Sequence, residues 1–507
     1  MKDKKSRKGK IMEYYSVTAD DVPAKIKVRM SRDSFVPIYE VTFPELETAT
    51  VAVMDEIREE LIMDLDIKPV EVINPDEMKK LKERFMEKTA KLVDQKIPHL
   101  SSEKKRILAG ILMHKSLGLG SIEILLKDSN LEEIVINGSK EPVWVYHRKL
   151  GWLKTNLVLK SETEIYNYSS QIGRRVGTQI TNLSPLMDAY LTTGDRANAT
   201  MFPISSHGNT LTIRKFSRKP WTITDFIKSK TLSLNIAAFL WLAMQYEMNI
   251  LISGGTASGK TALLNVLTCF IPPNQRVITI EDTREMRLPE FLHWVPMTTR
   301  PPNPEGKGEI TMLNLMVNAL RMRPDRMIVG EIRRSREAEV LFEAIHTGHS
   351  VYATIHSNTA DETLRRLTNP PINIPNSLLM SLDIIVAMHR DRRRDIRRVL
   401  EVMELVDVSS GTNMSLELNQ VFRWSPSKDS FMKMEMSRKV IENIKIYTGM
   451  SDKEIEGSLK EKKRILQWMV DNSIDDIDRV GKIISEYYVD PDSVMEKVKG
   501  TRTPGKK

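Results

Sequence analysis

The chain has 507 residues, 41% of them hydrophobic and 28% charged, a composition that excludes intrinsic disorder and a membrane-embedded bundle and sets two or three domains. Its one cysteine, Cys269, excludes an internal disulfide and a cysteine-rich zinc site. The formal charge of +9, from 76 Lys+Arg against 67 Asp+Glu, favours partners with acidic surfaces, whether anionic lipid, nucleic acid or acidic protein.

Residues 1–25 read as a basic tail, since Lys2, Lys4, Lys5, Arg7, Lys8 and Lys10 face one early acid, Asp3. No apolar stretch follows, so no signal peptide is expected and the chain should be cytoplasmic. A helical extension is expected over 26–115. There Met54, Ile57, Leu61 and Leu65 fall at helical spacing, Asn74-Pro75-Asp76-Glu77 opens a second helix, and a third follows Ser102. Beyond Leu117-Gly118-Leu119-Gly120 the texture turns to strands, with Ile134-Val135-Ile136, Val143-Trp144-Val145-Tyr146 and Leu211-Thr212-Ile213-Arg214-Lys215-Phe216. Residues 116–218 are thus a small α/β domain. Lys219-Pro220-Trp221-Thr222 marks a linker over 219–231.

Over 232–437 helices alternate with strands at Ile250-Leu251-Ile252, Val277-Ile278-Thr279-Ile280, Arg326 to Glu331 and Ser350 to Thr354. This pattern predicts an α/β fold with a parallel sheet covered on both faces, and with the loop at 254–261 the expected fold is a P-loop NTPase sheet of the RecA-like type. Ile236 to Met244, the longest apolar run, has the length of a buried helix rather than a membrane span. A Pro-rich segment runs through Pro304 and Gly308, and a helix is expected from Thr311 to Met322. Residues 438–507 read as short charged helices with a basic end.

The chemistry concentrates at the carboxyl ends of the predicted strands, where such sheets bind ligands. Gly254-Gly255-Thr256-Ala257-Ser258-Gly259-Lys260-Thr261 is a phosphate-cradling loop. Its glycines let backbone N–H groups converge on one anion, the next helix points its positive end there, Lys260 reaches the outer phosphates and Thr261 can hold magnesium. A nucleoside triphosphate with Mg2+ is therefore expected. Glu331, one step past a strand end, is the candidate to orient a water, and Glu281 and Asp282 could meet the magnesium directly or through water. Strand-end acids also cap helices, which is the plainer reading of all three. His356 could contact the outer phosphate, although a lone histidine is more often structural, and His346 and His349 read as turn residues. The histidine spacing offers no metal site. Arg196 and Arg214 lie outside the loop's domain and could reach a neighbour's nucleotide in a ring, or simply be solvated strand residues.

These residues resemble the secretion-superfamily ATPases that power type II secretion, type IV pili and the archaeal swimming filament. The resemblance rests on four boxes: the P-loop, Thr279-Ile280-Glu281-Asp282-Thr283-Arg284-Glu285, the Gly330-Glu331 strand end after Leu320-Arg321-Met322-Arg323-Pro324-Asp325-Arg326, and Thr347-Gly348-His349 leading to Thr354-Ile355-His356. It covers roughly residues 115 to 410. It implies a homohexamer docked on a polytopic membrane protein of a filament platform, with Glu331 as the catalytic carboxylate, Glu281 and Asp282 assisting magnesium and water, His356 sensing phosphate, and Arg196 and Arg214 as trans fingers. Ser357 stands where many bacterial relatives have alanine, and the four-cysteine zinc site of many bacterial members is missing. With the long N-terminal extension, this looks most like the archaeal branch, either the archaellum motor or a pilus-assembly ATPase.

A nucleic-acid translocase is the second reading, prompted by Arg390, Arg392, Arg393, Arg394, Arg397 and Arg398. Asp391 and Asp395 dilute that run, which reads more simply as a charged hairpin tip, so no nucleic acid is expected. A scaffold that binds ATP without turnover is the third, and Glu331 argues against it.

Overall fold

The computed structural model describes residues 10–30, 34–64, 71, 75–191, 194–215, 220–300, 302, 306–394, 396–408 and 415–500. Residues 1–9 and 501–507, together with Leu65, Asn74, Phe216, Lys219, Pro304 and Asp395, lie outside the described residues. The chain divides into two compact units between Arg218 and Lys219.

In the first unit β1 (Ile11–Ala19), β2 (Val22–Arg29) and β3 (Ile38–Thr42) precede helices α1 (Thr48–Asp64), α2 (Pro75–Lys96), α3 (Ser102–Ser116) and α4 (Ile122–Lys127). Then come β4 (Leu131–Ile136), β5 (Pro142–His147), β6 (Gly151–Val158), α5 (Glu162–Arg175), β7 (Leu186–Tyr190), β8 (Arg196–Thr200) and β9 (Thr210–Arg214). Among the described residues these strands form one nine-stranded sheet in the order β1-β2-β3-β6-β5-β4-β9-β8-β7. The expected basic tail to residue 25 and all-helical extension from 26 are corrected here. Residues 11–29 are a hairpin whose turn is Asp20-Asp21, at φ 45° and 66°, the left-handed pair that suits a two-residue connection. The reason is the strict alternation of Val22, Ala24, Ile26 and Val28, all buried, with Pro23 and Lys25, both exposed. Counting lysines hides that pattern.

β3 joins the rest of the sheet by a short parallel seam, Ile38 opposite Lys154 and Tyr39 opposite Thr155. Asn156 lengthens it with its side chain. Its Oδ1 accepts the Val41 N–H at 2.8 Å and its Nδ2 donates to the Val41 carbonyl at 3.0 Å, as a backbone peptide would. Tyr15 and Tyr39 both donate to Asp128 Oδ2, at 2.7 and 2.6 Å, pinning the meander to the end of α4. Helix α3 rests on the hairpin through Gly110, where a Cβ would stand 2.2 Å from the Asp20 carbonyl oxygen. Helices α1 to α3 share their own apolar cluster, including Met54, Ile57, Leu61, Phe85 and Leu112.

The second unit contains α6 (Ile223–Lys228), α7 (Leu234–Gln245), β10 (Ile250–Gly254), α8 (Lys260–Leu267), β11 (Arg276–Glu281), β12 (His293–Thr298), α9 (Met312–Ala319), β13 (Arg326–Ile332) and α10 (Ser335–His346). It continues with β14 (Ser350–Ile355), α11 (Ala360–Thr368), α12 (Asn376–Leu379), β15 (Ile384–Asp391), β16 (Ile396–Asp407), β17 (Leu416–Ser425) and β18 (Ser430–Lys433), and ends in α13 (Lys439–Thr448), α14 (Asp452–Asp471), α15 (Ile477–Val489) and α16 (Pro491–Gly500). Its sheet order is β12-β11-β13-β14-β10-β15-β16-β17-β18. From β12 to β15 every pairing is parallel, and β16 to β18 add an antiparallel meander. One apolar core lies on each face. This is the α/β parallel-sheet architecture the alternation predicts.

Three expectations change. The linker over 219–231 contains α6, whose Thr222 forms a reciprocal capping box with Asp225. The helix expected from Thr311 to Met322 ends at Ala319, because Pro324 disfavours helical geometry just ahead of it and Arg323 takes φ 53°. The closing helices are no appendage. Val440, Ile444, Ile465, Leu466 and Ile484 complete the core that holds β10, Trp241 Nε1 donates to Tyr488 Oη at 2.9 Å, and Tyr488 donates to the Phe270 carbonyl at 2.6 Å. Among the described residues no helix is long and apolar enough to cross a membrane.

Lys462 of α14 is fully buried, with its ammonium 5.0 Å from the Tyr487 ring centre and 5.5 Å from that of Trp241. The ring faces favour the charged form, but burial outweighs them and pushes its pKa down to about 7. The unfolded chain therefore holds a proton that the folded one lacks between about 7 and 10.5, and this residue's penalty on stability shrinks as pH rises through that window. Lys462→Met should raise the melting temperature at neutral pH, and the gain should fade towards pH 10.5. Melts of both proteins across the window check this; a gain that does not change with pH would contradict it.

Candidate phosphate-binding site

Strand β10 is buried along its whole length between β14 and β15 and ends at Gly254. A Cβ on Gly254 would lie 2.4 Å from Ser258 Oγ and 2.9 Å from the Met388 carbonyl oxygen, so the loop closes over a residue without a side chain. Ala257 at φ 59° and Gly259 at φ 95° turn it the left-handed way into α8. Gly259 is the N-cap and supplies no side-chain cap bond, which leaves the first N–H groups of α8 for a ligand. Ser258 Oγ donates to the Gly255 carbonyl at 2.8 Å and braces the turn. Lys260 Nζ folds onto the carbonyls of Gly254 (3.0 Å) and Gly255 (3.4 Å). Burial lowers its pKa, against the pull of Glu331 and Glu285. Thr261 follows on the first turn of α8.

The neighbouring strand ends bring the expected acids to the same edge of the sheet. Glu281 ends β11 and is 2% exposed. Its Oε1 accepts the N–H groups of Glu285 and Met286 at 2.9 and 3.0 Å, while Oε2 is buried without a partner among the described residues. Burial pushes its pKa up to about 7 against those two donors. Between Val329 and Ile332 the register of β13 on β14 slips, and this bulge at Gly330-Glu331 re-aims the Glu331 side chain. Thr354 Oγ1 donates to the Gly330 carbonyl at 2.5 Å and holds the bulge.

Arg333, which the motif reading passed over, ties the acids together. It donates to Glu331 Oε2 from Nε at 3.0 Å and Nη2 at 2.8 Å, and to Asp282 Oδ2 from Nη1 at 2.5 Å. The backbone N–H groups of Arg333 and Arg334 both donate to Glu337 Oε2 at 3.0 Å, which fixes the arginine's stem. A sequence signal existed: two residues past a strand-end acid, a cation falls on the acid's side of the chain. Asp282 also accepts from Thr299 Oγ1 at 3.2 Å.

His356, just after β14, meets the loop directly, with Nε2 3.0 Å from Thr256 Oγ1. Arg397 of β16 donates from Nε to the Ala257 carbonyl at 3.2 Å, so one member of the arginine run belongs to the loop's surroundings. Arg196 and Arg214 belong to the first unit, where they stand opposite one another on β8 and β9. Arg196 pairs with Asp188, at 2.9 Å from Nε and 2.5 Å from Nη2.

The residues present fit a triphosphate with magnesium. The loop has no room for a Cβ at Gly254, Lys260 has only loop carbonyls within bonding distance among the described residues, and a buried carboxylate oxygen of Glu281 lacks a donor. Magnesium needs little protein here, because it keeps most of its ligands as water and substrate phosphate.

With a parallel α/β sheet and a glycine loop leading into a helix at its carboxyl edge, the second unit has the fold of a P-loop NTPase. The model of the family described as type II/IV secretion system protein matches residues 196–409. An uncharacterized protein of Methanocaldococcus jannaschii is 35% identical over 413 residues, covering 80% of this chain and 74% of that protein. The type IV secretion system protein PtlH of Bordetella pertussis is 28% identical over 309 residues, covering 56% of this chain and 88% of PtlH. The X-ray structure of the Legionella pneumophila ATPase DotB aligns with a TM-score of 0.41 at 21% identity, over 71% of this chain and 92% of that one. The chain belongs to the type II/IV secretion system protein family.

The raised pKa of Glu281 makes a stability prediction. The folded state keeps this proton up to about 7 while an unfolded carboxyl loses it near 4.5, so stability falls as pH rises through that interval. Glu281→Gln should remove that slope and gain on the order of 3 kcal/mol relative to wild type across it. Denaturant melts on both sides of the interval measure the difference, and parallel curves for the two proteins would contradict the assignment.

Proposed function

We propose that this chain is a magnesium-dependent ATPase that works as a homohexamer at the cytoplasmic face of the membrane. In this reading it docks on a polytopic platform protein and uses hydrolysis to assemble or rotate a type IV pilus-like filament. The observation that carries the reading is the convergence of the P-loop, Glu281, Asp282, Glu331 and His356 at one sheet edge. Membership of the secretion family supports the mechanical role, and the M. jannaschii relative is in keeping with an archaeal filament, archaellum or pilus.

The chain's own groups divide the work. Lys260 exchanges the carbonyls of Gly254 and Gly255 for the outer phosphates of ATP, and the N–H groups of 255–261 close around them. Thr261 would hold magnesium, with Asp282 reaching it directly or through water; when bound, the metal supplies positive charge against the phosphate oxygens. Glu331 must leave Arg333 to orient a water and take its proton. Glu281 holds the 285–286 turn in place and, with a pKa near neutrality, can keep or release a proton as charge builds beside it. His356, already on Thr256, reads the state of the outer phosphate. Arg196 and Arg214 would serve the nucleotide of a neighbouring copy.

Lys260→Ala should abolish micromolar ATP binding with an unchanged far-UV circular dichroism spectrum. Glu331→Gln should bind ATP yet lose about a hundredfold or more in phosphate release. Titration calorimetry and a phosphate assay check both; retained binding by the first or full turnover by the second would sink the reading. Mixing Arg214→Ala with Glu331→Gln subunits should restore part of the turnover through hybrid sites, and no recovery in well-mixed rings would remove the arginines from the mechanism. In cells lacking the protein, loss of swimming alone assigns the archaellum, and loss of adhesive filaments alone assigns a pilus.

A further inference from the structure

One end of the β1–β2–β3 meander carries an apolar tip inside a basic surround. Ile11 faces Arg29 across the hairpin, the Met30 N–H donates to the Lys10 carbonyl at 3.0 Å, and Arg29 faces Ile38 on β3. The start of β1 and the β2–β3 connection therefore meet at the same end. Ile11, Met12 and Met30 are exposed there, and Phe35 projects fully into solvent. Tyr14, also exposed, continues the strip along β1 opposite Lys27.

The outward residues of the three strands hold Lys25, Lys27 and Arg29 against one acid, Glu40, which takes Arg29 at 2.5 Å and Lys27 at 3.9 Å. Lys10 adds a further charge at the tip, and the sequence ahead of it carries Lys2, Lys4, Lys5, Arg7 and Lys8 against Asp3. Clustered exposed apolar side chains mark a contact surface. Nucleic acid would reward stacking aromatics on a flat face and gain nothing from Ile11, Met12 and Met30. A bilayer surface rewards both features, because aliphatic and aromatic side chains enter the headgroup boundary while lysines and arginines meet lipid phosphates.

We propose that this tip is an anchor for the surface of an anionic phospholipid bilayer, with Phe35, Met30 and Ile11 entering the interface, Lys10 and Arg29 lying against its phosphates, and Lys25, further back on the same face opposite Thr42, adding to the attraction. The anchor lies in the first unit and needs no nucleotide, so it stands or falls apart from the ATPase reading.

The test is sedimentation of the full chain, without nucleotide, with vesicles of phosphatidylcholine alone or mixed with phosphatidylglycerol. The protein should pellet with the mixed vesicles and less so as salt is raised. Phe35→Ser should weaken partitioning about tenfold, and Lys10→Glu with Lys25→Glu should remove the preference for phosphatidylglycerol. Leu183→Ser alters an equally exposed apolar residue just ahead of β7, at the opposite edge of the sheet, and should bind as wild type. Phe35→Trp should show blue-shifted emission with the mixed vesicles. Phe35 and the lysines are exposed, and unchanged circular dichroism would confirm that the variants fold. Equal pelleting by wild type, Phe35→Ser and the double lysine variant would overturn the proposal, as would an unshifted Phe35→Trp spectrum. The same variant pattern on single-stranded DNA with no vesicle binding would assign the tip to nucleic acid instead.

Discussion

The parallel pairing of β10 with β14 on one side and β15 on the other governs the second unit. Because all three strands run the same way, their carboxyl ends open at one edge, and whatever follows each strand is delivered to its neighbours. The loop after β10 thereby meets His356 after β14, and the Met388 carbonyl of β15 walls in Gly254. Beyond β14, β13 and then β11 present Glu331 and Glu281 to the same edge. The sheet needs helices on both faces to stay buried, and α13 to α16 supply part of that cover. The closing segment therefore supports the site by completing the core behind β10.

The site's charges hold one another. Arg333 spans Glu331 and Asp282, yet its side chain is 59% exposed, and ion pairs that open to water are worth about 0–1 kcal/mol each. A clamp that weak orders the carboxylates and yields readily to a polyanion with its counter-ion. The Glu337 bonds to the backbone at 333 and 334 are different in kind. They set where the arginine starts and let its head move.

The P-loop and its strands were legible because their signals are local: an apolar run, a glycine pattern and a helix in immediate succession. Glu281, Asp282 and His356 were legible because each sits at or just past a strand end, and Glu331 because it stands one residue short of the end of β13. Arg333 escaped because its meaning depends on Asp282, which is 51 residues away in sequence. The first strands escaped because β3 finds its parallel partner in β6, more than a hundred positions on, and because lysines on the outward positions masked the alternation beneath. The docking of the last helices was equally invisible, resting as it does on contacts such as Trp241 with Tyr488, 247 residues apart.

The seam between β3 and β6 gives the sheet of the first unit a thin place. Two in-register pairs and the amide of Asn156 do the work that four or more ladder steps do at the β1–β2 and β2–β3 junctions. Side chains make up the difference, since Tyr15 and Tyr39 anchor the meander to Asp128 and Gly110 of α3 lies against the Asp20 carbonyl. Asn156 is thus an amide side chain standing in for backbone rungs, and a shorter or apolar residue there would leave the Val41 peptide without its partners.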